Sequence, residues 1–535
     1  MIKRFSVVLV AVAVTVGIVA AVGPAGASGG HATNSIIRER LPRAGGTGPR
    51  LPMIEAHARA ARGIVAHPYT GPDGHVPNGA RSPVAGPSWN GVSQNTVAPP
   101  DPNGAVGPSS YVEVINQKMA IYSRTGSLVK SGNLTALASG TSPTDPMVLW
   151  DPDTQRFYFN YLSFNPSNCP PSCNANNNHM VVGFSKDSNP TAVGPTSWCS
   201  YNVAFGYSTS SVADYPKLGQ TNDFLLIGVN LYTSLSSTSS SQSDLLWVAK
   251  PQGQAPIASC PSSPTSGRIQ NVKNADNTQA FTLVPAIQTD PSSTGYMVAT
   301  ADVETGGTGT YLSLFTITNN AGTPLVSPAA TISVSSYRAP AMAPQPGTSY
   351  KLDTLDGRLL HAVSSFDPRF GATTIWTAHS ISGGAGAMVR WYEINANGTM
   401  AQQGKLSSSS NYIFDPSMSS DRACTATPTC AFGDSMVLSY DKSNTSTNPT
   451  IVMISKIGAG SQSGGIVVHA STTHDHGFDC HQLGFCRWGD YAGATADPAA
   501  SQTGAHGQVW LTTQYTNGGG TSTGGDVTWN WMAKP

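Results

Sequence analysis

The chain has 535 residues, a formal net charge of zero and only 11% charged residues. A balanced, charge-poor surface leaves no electrostatic footprint for nucleic acid or an anionic membrane. Gly (55) and Pro (39) are abundant, and beyond the N-terminus no long window has apolar residues at helical spacing. This excludes a helical bundle and suits many short strands joined by turns.

The first predicted element is a secretory signal over residues 1–27. Lys3 and Arg4 form its basic region, Phe5 to Val22 its apolar region, and Ala25-Gly26-Ala27 a small-residue cleavage site. No other stretch is apolar enough to span a bilayer. The mature protein is therefore expected to be a soluble, exported monomer. Residues 28–82 read as a flexible leader or pro-segment, rich in Gly, Pro, Ala, Arg and His and without strand periodicity. His31, His57, His67 and His75 are solvated loop residues on this reading. The eight cysteines fit an oxidising compartment. Cys169 and Cys173, Cys424 and Cys430, and Cys480 and Cys486 each bracket a short loop; Cys199 and Cys260 are a further candidate pair, and the sequence leaves the connectivity open.

From residue 83 to 535 one unit recurs: an entry, a short run with small residues, a turn, and a bulkier β-rich run. Its copies begin at Asp101-Pro102-Asn103, Asp145-Pro146-Met147, Asp214-Tyr215-Pro216, Val284-Pro285-Ala286, His361-Ala362-Val363, Asp415-Pro416-Ser417 and Arg487-Trp488-Gly489-Asp490. Turns such as Asp151-Pro152, Asp290-Pro291, Asp367-Pro368 and Asp497-Pro498 follow, because Asp bonds its own backbone and Pro fixes φ. A short strand of small residues can crowd round an axis, and the bulkier strand packs between neighbouring sheets. Units of roughly 65 residues, each with room for four strands, predict an all-β fold, a single seven-bladed β-propeller.

Four phrases occur in order: Pro100-Asp101-Pro102-Asn103-Gly104-Ala105-Val106-Gly107-Pro108, Asp214-Tyr215-Pro216-Lys217-Leu218-Gly219, Val389-Arg390-Trp391-Tyr392-Glu393 and Arg487-Trp488-Gly489-Asp490-Tyr491. As a set the chain resembles a family of secreted, sialidase-like β-propeller proteins that is largely uncharacterised. The resemblance implies fold and secretion, and little about reaction. True sialidases carry Ser-x-Asp-x-Gly-x-Thr-Trp boxes, which are missing here. Tyr337-Arg338-Ala339-Pro340 resembles their Arg-Ile-Pro motif but falls mid-chain. Both departures argue against sialidase activity.

Aligned units bring Asp101, Asp145, Asp214, His361, Asp415 and Asp490 to one mouth of the central channel. Carboxylates so close need a counter-charge. A Ca²⁺ ion held by Asp101, Asp145 and Asp415 is one solution. Catalysis by Asp490, Asp101 and Asp145 with His361 is another, suited to glycoside or polysaccharide cleavage. Alternatively, each Asp caps its own turn. Arg487, Trp488 and Tyr491, with Asp214 and Asp415, are the candidate ligand-binding residues, since Arg can clamp an anionic group and aromatic rings can stack on a sugar; alternatively, Arg487 pairs with Asp490 and the aromatic rings pack between blades seven and one.

His474-Asp475-His476, with Asp479 and His481, is the densest metal-ligand cluster, with His474, His476 and His481 suited to Zn²⁺ or Cu²⁺; alternatively, it is an exposed, disulfide-stapled loop. Arg390 and Glu393 are read as surface or inter-blade contacts, and His179 and His379 as structural. Gly520-Thr521-Ser522-Thr523-Gly524 has the letters of a nucleophile elbow but no helix after it. No phosphate loop, dinucleotide fingerprint or His-Glu-x-x-His occurs. The expected function is binding of an extracellular carbohydrate or similar polymer. A glycosidase or lyase, and a protein-interaction scaffold, are the alternatives.

Overall fold

The computed structural model describes residues 53–54, 82–93, 97–139, 142–164, 178–207, 211–233, 239–304, 306–423, 430, 432–500, 506–517 and 526–535. They belong to one compact unit, Ile37–Pro535. The signal segment, nearly all of the leader with its four histidines, and Cys169, Cys173 and Cys424 lie outside the described residues.

Seven sheets of four or five strands, antiparallel except where Ile287–Gln288 pairs in parallel with Leu359–Asp367, form the blades of a β-propeller. Their innermost strands are, in order, Asn103–Val106, Ser142–Asp151, Val212–Gln220, Phe281–Pro285, Leu359–Asp367, Tyr412–Ser420 and Gly493–Ala496. Second strands such as Phe224–Tyr232 are buried along their whole length. They read as apolar runs because both faces meet another sheet.

The core sits between blades. Val112, Val148, Phe157 and Trp198 pack blade one on blade two. Leu226, Leu283 and Phe315 pack three on four. Trp376, Trp391 and Met436 pack five on six. The hairpin turns follow the Asp-Pro chemistry: Asp151, Asp367 and Asp497 accept backbone N–H bonds from Thr154, Arg369 and Ala499.

The ring closes in a way the repeat does not announce. Blade seven takes three strands from the C-terminal end. Its fourth is Val84–Ser93, paired antiparallel with Asp526–Lys534. Trp89 of that strand packs edge-on against Tyr111 of blade one, with ring centroids 5.6 Å apart. From the leader, Met53–Ile54 pairs in parallel with Val97–Ala98.

Candidate active site at the channel mouth

Bulges in the innermost strands set the mouth. Strand pairing slips at Thr144/Met147, Asp214/Lys217, Phe281/Val284 and Phe414/Ser417. The slipped residues include Asp145, Tyr215, Thr282 and Asp415, all left-handed with φ between 51° and 58°. Asp101 (φ 49°) and Gly489 (φ 74°) share that conformation at the entries to blades one and seven. Extra residues of this kind re-aim side chains where strands meet an axis.

The bulge positions correct the sequence alignment. Tyr215, not Asp214, is equivalent to Asp145, and Thr282, not Val284, serves blade four. Gly489, not Asp490, takes the left-handed position in blade seven. Pattern counting assumed constant spacing, whereas the backbone conformation and pairing register define the equivalence.

The segment Arg487–Tyr491 does not stay in its own blade. Tyr491 donates to Asp145 Oδ2 of blade two at 2.8 Å and approaches the Pro216 carbonyl of blade three at 3.2 Å. In return, Tyr215 Oη and Lys217 Nζ donate to the Asp490 carbonyl at 2.7 and 3.0 Å. Blades seven and three are not neighbours in the ring, so this segment bridges the mouth. Lys217 Nζ lies 4.0 Å from the centre of the Tyr215 ring and 3.6 Å from that of Tyr491. Beneath, Met147, Leu218, Ile287, Val363 and Tyr491 share one apolar cluster.

Charges are compensated by the chain itself. Arg487 pairs with Asp490, and Arg358 with Asp356. The Arg358 guanidinium also lies 4.2 Å over the Tyr215 ring. Asn116 donates to Asp101 Oδ2 at 2.9 Å and accepts from the Asp145 backbone N–H at 2.8 Å. Asp415 accepts from Thr513 at 3.2 Å.

Burial dominates the titration of these groups. It lowers the Lys217 ammonium to about 7, against the opposing pull of Asp490. It lowers His361 to about 4. Burial, then the Asp441 charge, pushes the Asp415 carboxyl up, and burial raises Asp441 to about 7. Tyr215 and Tyr491 are raised by burial, so their phenols stay protonated.

Among the described residues, buried acceptor atoms here that make no hydrogen bond include Asp415 Oδ1, Asp490 Oδ1 and His361 Nε2. His361 Nδ1 is 3.0 Å from the Met418 carbonyl, which places its proton on Nδ1 and the lone pair on Nε2. Lys217 influences the titration of both Asp415 and His361, and bonds the Asp490 carbonyl. Lys217 is thus electrostatically coupled to the residues that carry these acceptors.

The remaining candidates are placed as follows. Asp214 is buried in the innermost strand of blade three, next to the bulged Tyr215. Trp488 is fully buried and donates to Asp441 Oδ2 at 2.8 Å, so its ring is packed with Phe414 and the Cys480–Cys486 disulfide. Tyr491 is likewise buried, with its ring against Lys217.

Among the described residues, one group of three His, Cys, Asp or Glu brings its ligand atoms within 4.8 Å of one another: Asp475, Cys480 and Cys486. Its sulfurs are joined in a disulfide. Neither Asp101, Asp145 and Asp415 nor His474, His476 and His481 meet in such a group. His481 instead sits 3.0 Å from the Tyr350 hydroxyl.

Cys199–Cys260 and Cys480–Cys486 are bonded as the spacing suggests, and Cys430 is disulfide-bonded. Arg390 and Glu393 are buried within blade five, where Arg390 donates to the Ser335 carbonyl of the blade-four outer strand. His379 is buried between the Gly357 carbonyl and Tyr392.

Lys217, Arg358, Tyr215 and Asp441 escaped the sequence reading. Lys217 stood inside the Asp214–Gly219 phrase, and a lone lysine within an apolar strand was the available signal.

No protein-family model matches the chain. No curated protein matches it. Among solved structures it is similar to the *Trypanosoma rangeli* sialidase in complex with the inhibitor DANA. That likeness has a TM-score of 0.37 and 8% identity, over 84% of this chain and 60% of that one. It is also similar to the parainfluenza virus 5 hemagglutinin-neuraminidase, with a TM-score of 0.33 and 10% identity over 75% and 93% of the two chains. A Synechocystis apocarotenoid oxygenase gives a TM-score of 0.35 and 10% identity over 69% and 74%. The chain thus spans 60% of the sialidase's length. At these identities and scores the likenesses carry no statement about activity or substrate.

Proposed function

We propose that the protein is exported and binds an extracellular carbohydrate or similar hydroxyl-rich polymer across the channel mouth. The observation that carries this reading is the set of buried acceptors without a hydrogen bond among the described residues, Asp415 Oδ1, Asp490 Oδ1 and His361 Nε2, on residues electrostatically coupled to Lys217. Buried acceptors without donors are costly, and sugar hydroxyls are donors suited to satisfy them. Lys217, Arg358 and Arg487 supply the positive charge that a bound Ca²⁺ would otherwise bring, so binding is expected to survive chelation.

The test is a glycan and polysaccharide panel read by calorimetry, with and without EDTA, on wild type, Asp415→Asn and His361→Gln. At least one polymer should bind the wild type, and each variant, checked for folding by its melting curve, should bind at least ten-fold more weakly. Unchanged affinity in both variants, or no binding across the panel, overturns the reading and favours a protein-interaction scaffold. Loss of binding in EDTA restores the Ca²⁺ alternative.

A second reading is favoured by one observation. Burial, then the Asp441 charge, raises the Asp415 carboxyl, whereas Asp490 is ion-paired with Arg487. Two carboxyls in contrasting environments are suited to acid and base roles in glycoside cleavage. Release of reducing ends from the bound polymer, abolished by Asp415→Asn, would convert the binding reading into a hydrolytic one.

A further inference from the structure

Outside the mouth network, the connection between blades six and seven builds a rigid surface element. Its helix Phe478–Leu483 is closed by left-handed Gly484 and stapled by Cys480–Cys486. Upstream, Asp475 is clamped. Its N–H donates to Gln345 Oε1 at 2.7 Å, its carbonyl accepts from Gln345 Nε2 at 3.2 Å, and its Oδ1 accepts from the Gly477 N–H at 3.0 Å. His474 and His476 flank this fixed residue, two positions apart, and both are partly exposed. Their ring centroids are 5.3 Å apart with planes at 66°. His476 Nδ1 lies 3.1 Å from the His474 carbonyl. That contact puts the proton on Nδ1 and leaves the Nε2 lone pair free, the arrangement that orients metal-binding imidazoles. His474 is itself fixed by a hydrogen bond to the Pro346 carbonyl.

We propose that His474 and His476 form a two-histidine site for a divalent transition cation, with Cu²⁺ preferred over Zn²⁺. The separation fits. Two imidazoles bound at about 2.0–2.1 Å place their ring centres roughly 4.5–5 Å apart, from the 90° angle of a tetragonal Cu²⁺ site to the tetrahedral angle of a Zn²⁺ site. Imidazole suits both ions, and Cu²⁺ binds more tightly in the usual order of divalent affinities. The remaining coordination positions belong to water or an external ligand, so the ion exchanges readily. His481 is outside the site, engaged with Tyr350.

The experiment is titration of the chelator-washed, secreted full chain with CuCl₂ and ZnCl₂ by calorimetry, with His474→Ala, His476→Ala and His481→Ala alongside. One equivalent of Cu²⁺ should weaken at least ten-fold in each of the first two variants and persist in the third. Electron paramagnetic resonance of the Cu²⁺ form of the unaltered protein reads the site without substitution, and two imidazole nitrogens should couple to the ion. An unchanged equivalent in either His474→Ala or His476→Ala, or a spectrum with fewer than two coupled nitrogens, overturns the proposal.

Discussion

Gly489 shows how one position holds the mouth together. Its φ is 74°, and a Cβ there would lie 2.8 Å from Asp415 Cγ. Gly253 has a similar φ of 79° but nothing within 4 Å of its Cβ position. Gly253→Ala should therefore cost only the left-handed strain, about 1 kcal/mol. Gly489→Ala should cost roughly 2 kcal/mol or more, because it also displaces a buried carboxyl. Denaturant midpoints of the two variants measure the difference, and equal shifts would show that the contact with Asp415 is slack. The same residue explains the Arg487–Tyr491 crossing. Only a glycine can turn the chain so close to Asp415 and still send Tyr491 over to Asp145.

Blade five carries the clearest pH-dependent element. Glu393 is buried beside Asp367, and burial followed by that neighbour raises its carboxyl to about 8. In the unfolded chain it titrates near 4.3. Between those values the folded state keeps a proton that the unfolded state has released, so this group's contribution to stability is full below the unfolded pKa. It is lost as pH rises toward 8. Glu393→Gln, which resembles the protonated form, lacks this loss. Its stability relative to wild type should grow by at least about 1 kcal/mol from pH 5 to pH 8. Denaturation curves at pH 5, 6.5 and 8 check this, and parallel behaviour of the two proteins would sink it.

The whole ring depends on a strand from its N-terminal side. Val84–Ser93 covers the Asp526–Lys534 edge and brings Trp89 against Tyr111 and Trp510. A chain beginning at Arg81 should keep the wild-type melting temperature. One beginning at Thr96 should melt at least 10 °C lower or aggregate, because an uncovered edge strand pairs with other chains. Equal melting of the two truncations would show that blade seven closes without this strand.

All-β class, blade number and hairpin turns were legible in order along the chain, because each rests on local chemistry. Asp-Pro turns and apolar second strands repeat whatever lies beside them. The Cys480–Cys486 pair was legible for the same reason. The mouth was legible only in part. Asp101, Asp145, Asp415 and Asp490 were found by spacing, but Tyr215, Thr282 and Gly489 replaced their aligned neighbours because the bulge conformation, not the count, sets equivalence. Lys217 became prominent only when the fold placed its ammonium against Tyr491, 274 positions later in sequence. Arg487, Trp488 and Tyr491 looked like a ligand platform, since an exposed aromatic and a buried one are spelled alike. Tertiary packing alone made Trp488 a core residue bonded to Asp441 and Tyr491 a strut across the channel. Contacts between blades that are not neighbours leave no period in the sequence, and burial, which shifts Lys217, His361 and Asp415 at the mouth, exists only once the ring has closed.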